Sequence, residues 1–267
     1  MEAEKEQAPN PPTALEARPG LGRRATDLLS LLRSLFVTDL LIYFYTMVCG
    51  AASLCGSVLD SGGRWQHGCA RVWSWLIIKT SRVRVNIEGL ENIPAGQPVL
   101  FCANHPSAMD IPLMFVCLPV QFRFAAKRSL FHVPFLGWHL RRSGHIPVDR
   151  EHPKKAIKSL DQAAERIRAG TPVLMFPEGH RSRVGGLGPF KSGSFYLAVQ
   201  AGVPLIPITI NGTRRVLKPD SLHIHPGPVE VIIHAPIPTE GLGLGDVNGL
   251  LLRVREAVLS RMAPDGN

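Results

Sequence analysis

The sequence predicts an α/β fold, a mixed sheet covered by helices, preceded by an N-terminal membrane-associated helical segment. Three observations carry this expectation. From Val83 onward, short β-rich runs alternate with helical stretches, the pattern of a sheet covered on its faces. Residues 40–59 form a run of twenty without a charge. Residues 64–82 then hold three of the four tryptophans, interleaved with Arg71 and Lys79.

Residues 1–20 are polar and rich in Pro, Glu and Ala, without a basic segment running into a small-residue cleavage site, so no secretory signal is expected and 1–24 read as a disordered tail. The membrane-associated segment spans 25–82. Its twenty uncharged residues, at ~1.5 Å each, match a bilayer core of ~30 Å. Indole and guanidinium groups both favour the wet–apolar boundary, so 64–82 suits a helix at headgroup level. Three arrangements are open. They are a single anchor helix followed by a linker, a hairpin dipping into one leaflet with Gly50, Gly56 and Gly62-Gly63 softening the return, or a core helix of a soluble protein.

The α/β domain covers 83–267. Strands are expected at 83–88, 99–102, 121–125, 173–176, 205–210 and 229–234. Helices are expected after Pro106 and at 153–168, 192–201 and 247–262. Ile157, Leu160, Ala164 and Ile167 fall at helical spacing, and Gly170 follows as a stop.

Composition narrows the function classes. Hydrophobic residues make up 45% of the 267 against 19% charged, which excludes a disordered chain and a bundle of membrane spans. The excess of Lys and Arg gives a formal charge of +9, suited to anionic lipid, phosphate-bearing substrates or nucleic acid. No nucleic-acid recognition motif accompanies it, so nucleic acid is not an expected partner. Cys49, Cys55, Cys69, Cys102 and Cys117 form no CxxC pair and read as buried thiols in a reducing compartment.

The chemistry concentrates at Asn104-His105-Pro106-Ser107-Ala108-Met109-Asp110. Pro106 forces His105 out of the helical region and itself suits a first helical turn. His105 therefore sits at a strand-to-helix corner with Asp110 just over a turn inside. From a corner the ring can fold back onto Asp110, which would hold one imidazole nitrogen and turn the other outward as a base. The competing reading is a surface helix cap made by Asn104 and His105. No serine or cysteine stands at a matching corner, so the nucleophile would come from the substrate.

This run resembles the signature of the glycerolipid acyltransferases, the family of lysophosphatidic acid acyltransferase and glycerol-3-phosphate acyltransferase. Three further blocks follow in the family's order. Gly144-His145-Ile146-Pro147-Val148-Asp149-Arg150 is similar to the second. Phe176-Pro177-Glu178-Gly179-His180-Arg181-Ser182 looks like the third, usually Phe-Pro-Glu-Gly-Thr-Arg-Ser. Val203-Pro204-Leu205-Ile206-Pro207 looks like the fourth, and Pro189-Phe190-Lys191-Ser192-Gly193 also fits. The resemblance covers about 83–235. His180 in place of Thr, and Pro147 in place of a common aromatic, are departures that bear on the acceptor pocket.

The resemblance implies transfer of an acyl chain from acyl-CoA or acyl-carrier protein to lysophosphatidic acid, with His105 and Asp110 catalytic and no cofactor. The alternatives are glycerol-3-phosphate, another lysophospholipid or a lyso-aminolipid as acceptor, or a non-catalytic membrane lipid-binding protein. Arg150 is associated in the family with phosphate recognition. Arg150 and Arg181 can offer planar forks to a phosphate. Glu178 would bind a glycerol hydroxyl or hold an arginine, or form a plain salt bridge with Arg181. Lys127 and Lys191 are candidates for phosphate or coenzyme contacts, or solvated surface lysines; Gly179 and Gly193 would supply unusual backbone angles. His145 and His180 lack the helical spacing of a zinc site, and no metal is expected. The expected partners are membrane lipids and the acyl donor. The expected location is the inner (cytoplasmic) membrane, with the active site on the cytosolic side.

Overall fold

A computed structural model describes residues 21–60, 62–149, 153–182 and 185–263. The polar opening stretch 1–20 and Arg150 lie outside the described residues. Helix α1 (Leu21–Arg33) runs through a π-helical stretch (Ser34–Thr38) into α2 (Asp39–Gly56). It takes in Leu21–Arg24, which the sequence reading placed in the tail. No proline falls within 21–56 or 64–80, so neither helical run loses a backbone donor.

Helix α3 (Arg64–Thr80) folds back along α2. Tyr45 meets Thr80 through their hydroxyls at 3.3 Å, the Trp73 indole donates to Thr46 Oγ1 at 2.9 Å, and the Trp65 indole donates to the Ala52 carbonyl at 2.9 Å. As one number of each pair rises the other falls, so the helices are antiparallel. This is a hairpin, and the linker reading of 64–82 is wrong: indoles that can bond across the pair hold a helix there. The soluble core-helix reading fails as well. Phe36, Leu40, Tyr43, Phe44 and Met47 are each more than half exposed. By length and composition Thr26–Gly56 is apolar enough to cross a membrane.

The α/β domain follows with β1 (Val83–Glu88), β2 (Leu100–Ala103), α4 (Asp110–Cys117), β3 (Arg123–Lys127), α5 (Leu136–Arg142), β4 (Ile146–Val148) and α6 (Pro153–Arg168). Then come β5 (Val173–Met175), α7 (Gly193–Ala201), β6 (Leu205–Asn211), α8 (Thr213–Val216), β7 (Gly227–Ile233) and α9 (Val247–Ser260). The seven strands lie in the order β1-β7-β6-β2-β5-β3-β4. The run β6-β2-β5-β3-β4 is parallel, while β7 pairs antiparallel to β6 and carries β1 with it, so the sheet is mixed as expected. Strand β4 was not foreseen, since three residues are too few for a periodicity to show.

Burial on both faces explains the continuous apolar runs of the central strands. Along β2, Phe101 and Ala103 point to a core shared with Ile77 of α3 and Leu113 of α4. Leu100 and Cys102 point to the opposite core, with Ile167 of α6, Phe195 of α7 and Val254 of α9. Burial pushes the Cys117 thiol up to about 12. All five cysteines are free, and Cys55 is exposed on α2, so the reading of uniformly buried thiols holds for Cys102 and Cys117 only.

Candidate active site

Parallel strands bring their C-terminal ends to one sheet edge, where α/β folds place ligands. Here β2 delivers His105, β5 delivers Glu178, β6 delivers Thr213 and β3 ends on Lys127. The corner after β2 is fixed first. Asn104 is buried, donates its side-chain amide to the Ile210 carbonyl at 2.9 Å and accepts the Ile210 N–H at 2.7 Å, locking the corner to β6.

His105 Nδ1 lies 2.7 Å from Asp110 Oδ2. The helical part differs from expectation in one respect: α4 begins at Asp110, not at Pro106. The reason is local. The same Asp110 oxygen accepts the Ser107 N–H at 2.8 Å, which keeps 105–107 out of the helix and folds the ring back. A carboxylate in a first helical turn is also favoured by the helix dipole. Asp110 Oδ1 accepts the Thr213 hydroxyl at 2.6 Å, so this fully buried carboxylate has three donors. A carboxylate only accepts, so Nδ1 carries the proton and Nε2 presents its lone pair.

The ring is held from its face by Phe176, stacked at 3.9 Å between centroids and 12° between planes. The backbone of His105 is held by Glu178. One Glu178 oxygen accepts the His105 N–H at 2.8 Å and the other accepts the Gly188 N–H at 2.9 Å. Glu178 is buried, and its two oxygens hold backbone amides; among the described residues no salt bridge joins it to Arg181. The His105 carbonyl in turn accepts the Ser182 N–H at 3.0 Å, which sets the exposed Arg181 beside the His105 corner.

Neither nearby hydroxyl serves the ring. Ser107 Oγ donates to the Leu217 carbonyl at 2.7 Å, and Thr213 is committed to Asp110. The amides of His105 and Ser107 are likewise engaged, so neither is free to receive a developing oxyanion. Gly179 has φ +78°, and the Lys191 ammonium lies 3.1 Å from where a Cβ would project. That glycine therefore lets the exposed Lys191 lie over the corner. Gly193 does no such work; it opens α7 without a positive φ. Lys127 is exposed two strands from β2, about 10 Å away by strand spacing.

His145 lies elsewhere. It is buried and accepts the Phe124 N–H at 2.9 Å, and burial, with His139 and Arg123 adding repulsion, pushes its ring down to about 3. It is a neutral core group. His180 is exposed, with its ring 3.3 Å from the Arg181 carbonyl.

Sequence reasoning missed Phe176 as a ring support and Thr213 altogether. Thr213 follows β6 by two residues, and it reaches the His105 corner because β6 runs parallel to β2, a pairing that the sequence does not display. Thr213→Val keeps the shape and leaves Asp110 one donor short. Its expected effect is a loss of about 1–3 kcal/mol, read as a lower midpoint of denaturant unfolding in detergent.

The acyltransferase family model matches residues 84–211, which contain the corner, β5 and β6. A 1-acyl-sn-glycerol-3-phosphate acyltransferase (BAT2, chloroplastic) of Brassica napus is 36% identical over 176 residues, 65% of this chain and 51% of its own length. The chain thus spans about half of that relative. Caenorhabditis elegans acl-2 is 30% identical over 226 residues, covering 82% of this chain and 78% of the relative. The crystal structure of the 1-acyl-sn-glycerophosphate acyltransferase PlsC from Thermotoga maritima superposes with a TM-score of 0.71 at 29% identity. That match covers 88% of this chain and 94% of the other. With a His–Asp corner on the matched sheet edge and a 30% identical relative of which 78% is covered, the chain belongs to the acyltransferase family of the 1-acyl-sn-glycerol-3-phosphate acyltransferases.

Proposed function

We propose that the protein transfers a fatty acyl group from a thioester of coenzyme A or acyl-carrier protein to the free hydroxyl of lysophosphatidic acid, giving phosphatidic acid. The observation that carries this reading is the 2.7 Å contact between His105 and Asp110, with both neighbouring hydroxyls committed elsewhere. His105 Nε2 takes the acceptor's hydroxyl proton as that oxygen attacks the thioester carbonyl. Collapse of the tetrahedral intermediate breaks the C–S bond, and the imidazolium returns its proton to the leaving thiolate. Asp110 stabilises that imidazolium. The exposed cations Arg181, Lys191 and Lys127, with Arg150 two positions after β4 in sequence, supply charge for the acceptor's phosphate.

The hairpin brings this site to the lipid. One end is tied to the α/β domain where Ser34 donates to the Leu222 carbonyl at 3.1 Å and Arg33 donates to the Ile224 carbonyl at 3.1 Å. The other end is tied where Ser53 meets His139 at 2.8 Å and Arg142 donates to Ser57 at 3.0 Å. Ser34 and Ser57 are separated by roughly 30–35 Å of helix. A helix bound at both ends to one domain cannot cross a bilayer that the domain does not cross. The hairpin lies in one leaflet in this reading, on the cytosolic face of the cytoplasmic membrane.

A donor-by-acceptor matrix on purified protein in detergent or vesicles tests the assignment. Lysophosphatidic acid is expected to exceed lysophosphatidylcholine by at least ~10-fold in kcat/KM, because a site built for a phosphate monoester is left unpaired by other headgroups. Equal rates, or a preference for glycerol-3-phosphate, would move the acceptor. Vesicle binding with no donor consumed would make the protein a non-catalytic lipid binder.

A further inference from the structure

We propose that residues 128–142 form a second membrane-inserting element, a wedge that docks the α/β domain onto an anionic lipid surface beside the hairpin. The inference rests on the membrane reading of the hairpin and adds a contact that the hairpin does not supply.

Three features of the segment point to lipid. The first is the exposure of large apolar groups on a domain surface. Phe135 is 65% exposed and Trp138 51%, with their rings in edge contact at 5.0 Å; Val133 and Leu136 are exposed beside them. A soluble face rarely gathers such residues without a partner.

The second is a backbone that holds them out. Phe135 adopts φ 61°, ψ −58°, and Leu136 donates its N–H to the Pro134 carbonyl at 2.7 Å, the three-residue turn that is rare and strained. Gly137 makes the turn possible. A Cβ there would sit 2.1 Å from the Phe131 carbonyl oxygen, while the Gly137 N–H bonds to the Val133 carbonyl at 2.7 Å. Strain at a bulky residue persists where the surroundings enforce it and a function uses the result. The result here is an aromatic pair presented outward.

The third is charge. From Arg128 to Arg142 the sequence holds three arginines, two histidines and no carboxylate. Arg141 and Arg142 are exposed, and Arg128 is exposed while lying 3.8 Å from Asp149. Aromatic groups flanked by arginine suit the headgroup boundary of an anionic leaflet.

Position commits the surface to lipid. The segment adjoins the end of α2 through the Ser53–His139 and Arg142–Ser57 contacts, which place its exposed apolar groups beside those of the hairpin. It also leaves directly from the C-terminal end of β3, the sheet edge that carries the His105 corner. Seating the wedge in lipid turns that edge towards the plane where lipid substrates lie.

Two single-tryptophan proteins test this, in vesicles of phosphatidylcholine and phosphatidylglycerol with brominated acyl chains. One keeps Trp138 and carries Trp65→Phe, Trp73→Phe and Trp75→Phe. The other keeps Trp75 and carries Trp65→Phe, Trp73→Phe and Trp138→Phe. Both are expected to lose about half or more of their fluorescence relative to unbrominated vesicles. Quenching of Trp75 alone would overturn the wedge and leave the hairpin in the membrane; quenching of neither would overturn both. A second measurement keeps every native tryptophan on α3. Phe135→Ser with Trp138→Ser, changed on exposed groups, is expected to slow acylation on anionic vesicles by ~5-fold or more while leaving activity in detergent micelles unchanged. Equal vesicle activity would count against the wedge. So would a shift of the detergent-solubilised protein from dimer to monomer, which would assign the face to a second copy of this chain.

Discussion

His105→Ala is expected to lower kcat by about 10³-fold or more while acceptor binding stays within about threefold of the parent, because it removes the base and no phosphate contact. The measurement is single-turnover acylation paired with equilibrium binding of lysophosphatidic acid in detergent. Asp110→Asn separates the two functions of the carboxylate. The amide oxygen can still accept from Ser107 and from His105, and the amide nitrogen can face the Thr213 hydroxyl, so the corner keeps its shape. What it loses is the negative charge that stabilises the imidazolium formed during attack. A fall of about 10²-fold or more in kcat, with an unchanged unfolding midpoint, is therefore expected. Wild-type turnover in His105→Ala would remove the proposed chemistry altogether.

How much of this was legible in the sequence depended on the range of the interaction. The central strands were readable because burial on both faces writes a continuous apolar run, as in Leu100–Ala103, and α6 because its buried stripe recurs every three to four residues. Strand β4 and helix α5 were not, since three and seven residues leave too little period. The meeting of His105 with Asp110 was inferred from Pro106, and the contact forms, though the agent is Asp110 itself. By bonding Ser107 N–H it delays the helix that Pro106 was expected to start. Thr213 lies 103 residues from Asp110, and only the parallel pairing of β6 with β2 brings the two together. The hairpin was one of three options because 64–82 carries charges. The bonds from Trp65 and Trp73 to α2 decide it, and they are tertiary.

Glu178 is where the sequence leads to one contact and the structure shows another, and the difference has a kinetic signature. A carboxylate that binds the acceptor's hydroxyl would, when removed, raise KM and leave kcat largely alone. The observed carboxylate instead spans the His105 and Gly188 amides from a buried position. Glu178→Gln keeps one acceptor oxygen but turns an NH₂ group towards the other N–H, placing two donors face to face. Glu178→Ala leaves both amides unpaired, at about 1–3 kcal/mol each if water does not replace the carboxylate. Either change loosens the backbone that aims the His105 ring. The expected result is a fall of about 10²-fold in kcat with KM for lysophosphatidic acid within about threefold of the parent. Gly188→Ala should move in the same direction without removing any titratable residue, because a Cβ there would lie 2.7 Å from Glu178 Oε2 and displace it. A rise in KM alone for Glu178→Gln, with Gly188→Ala unaffected, would return Glu178 to the acceptor pocket and leave the aim of His105 to Asp110 and Phe176.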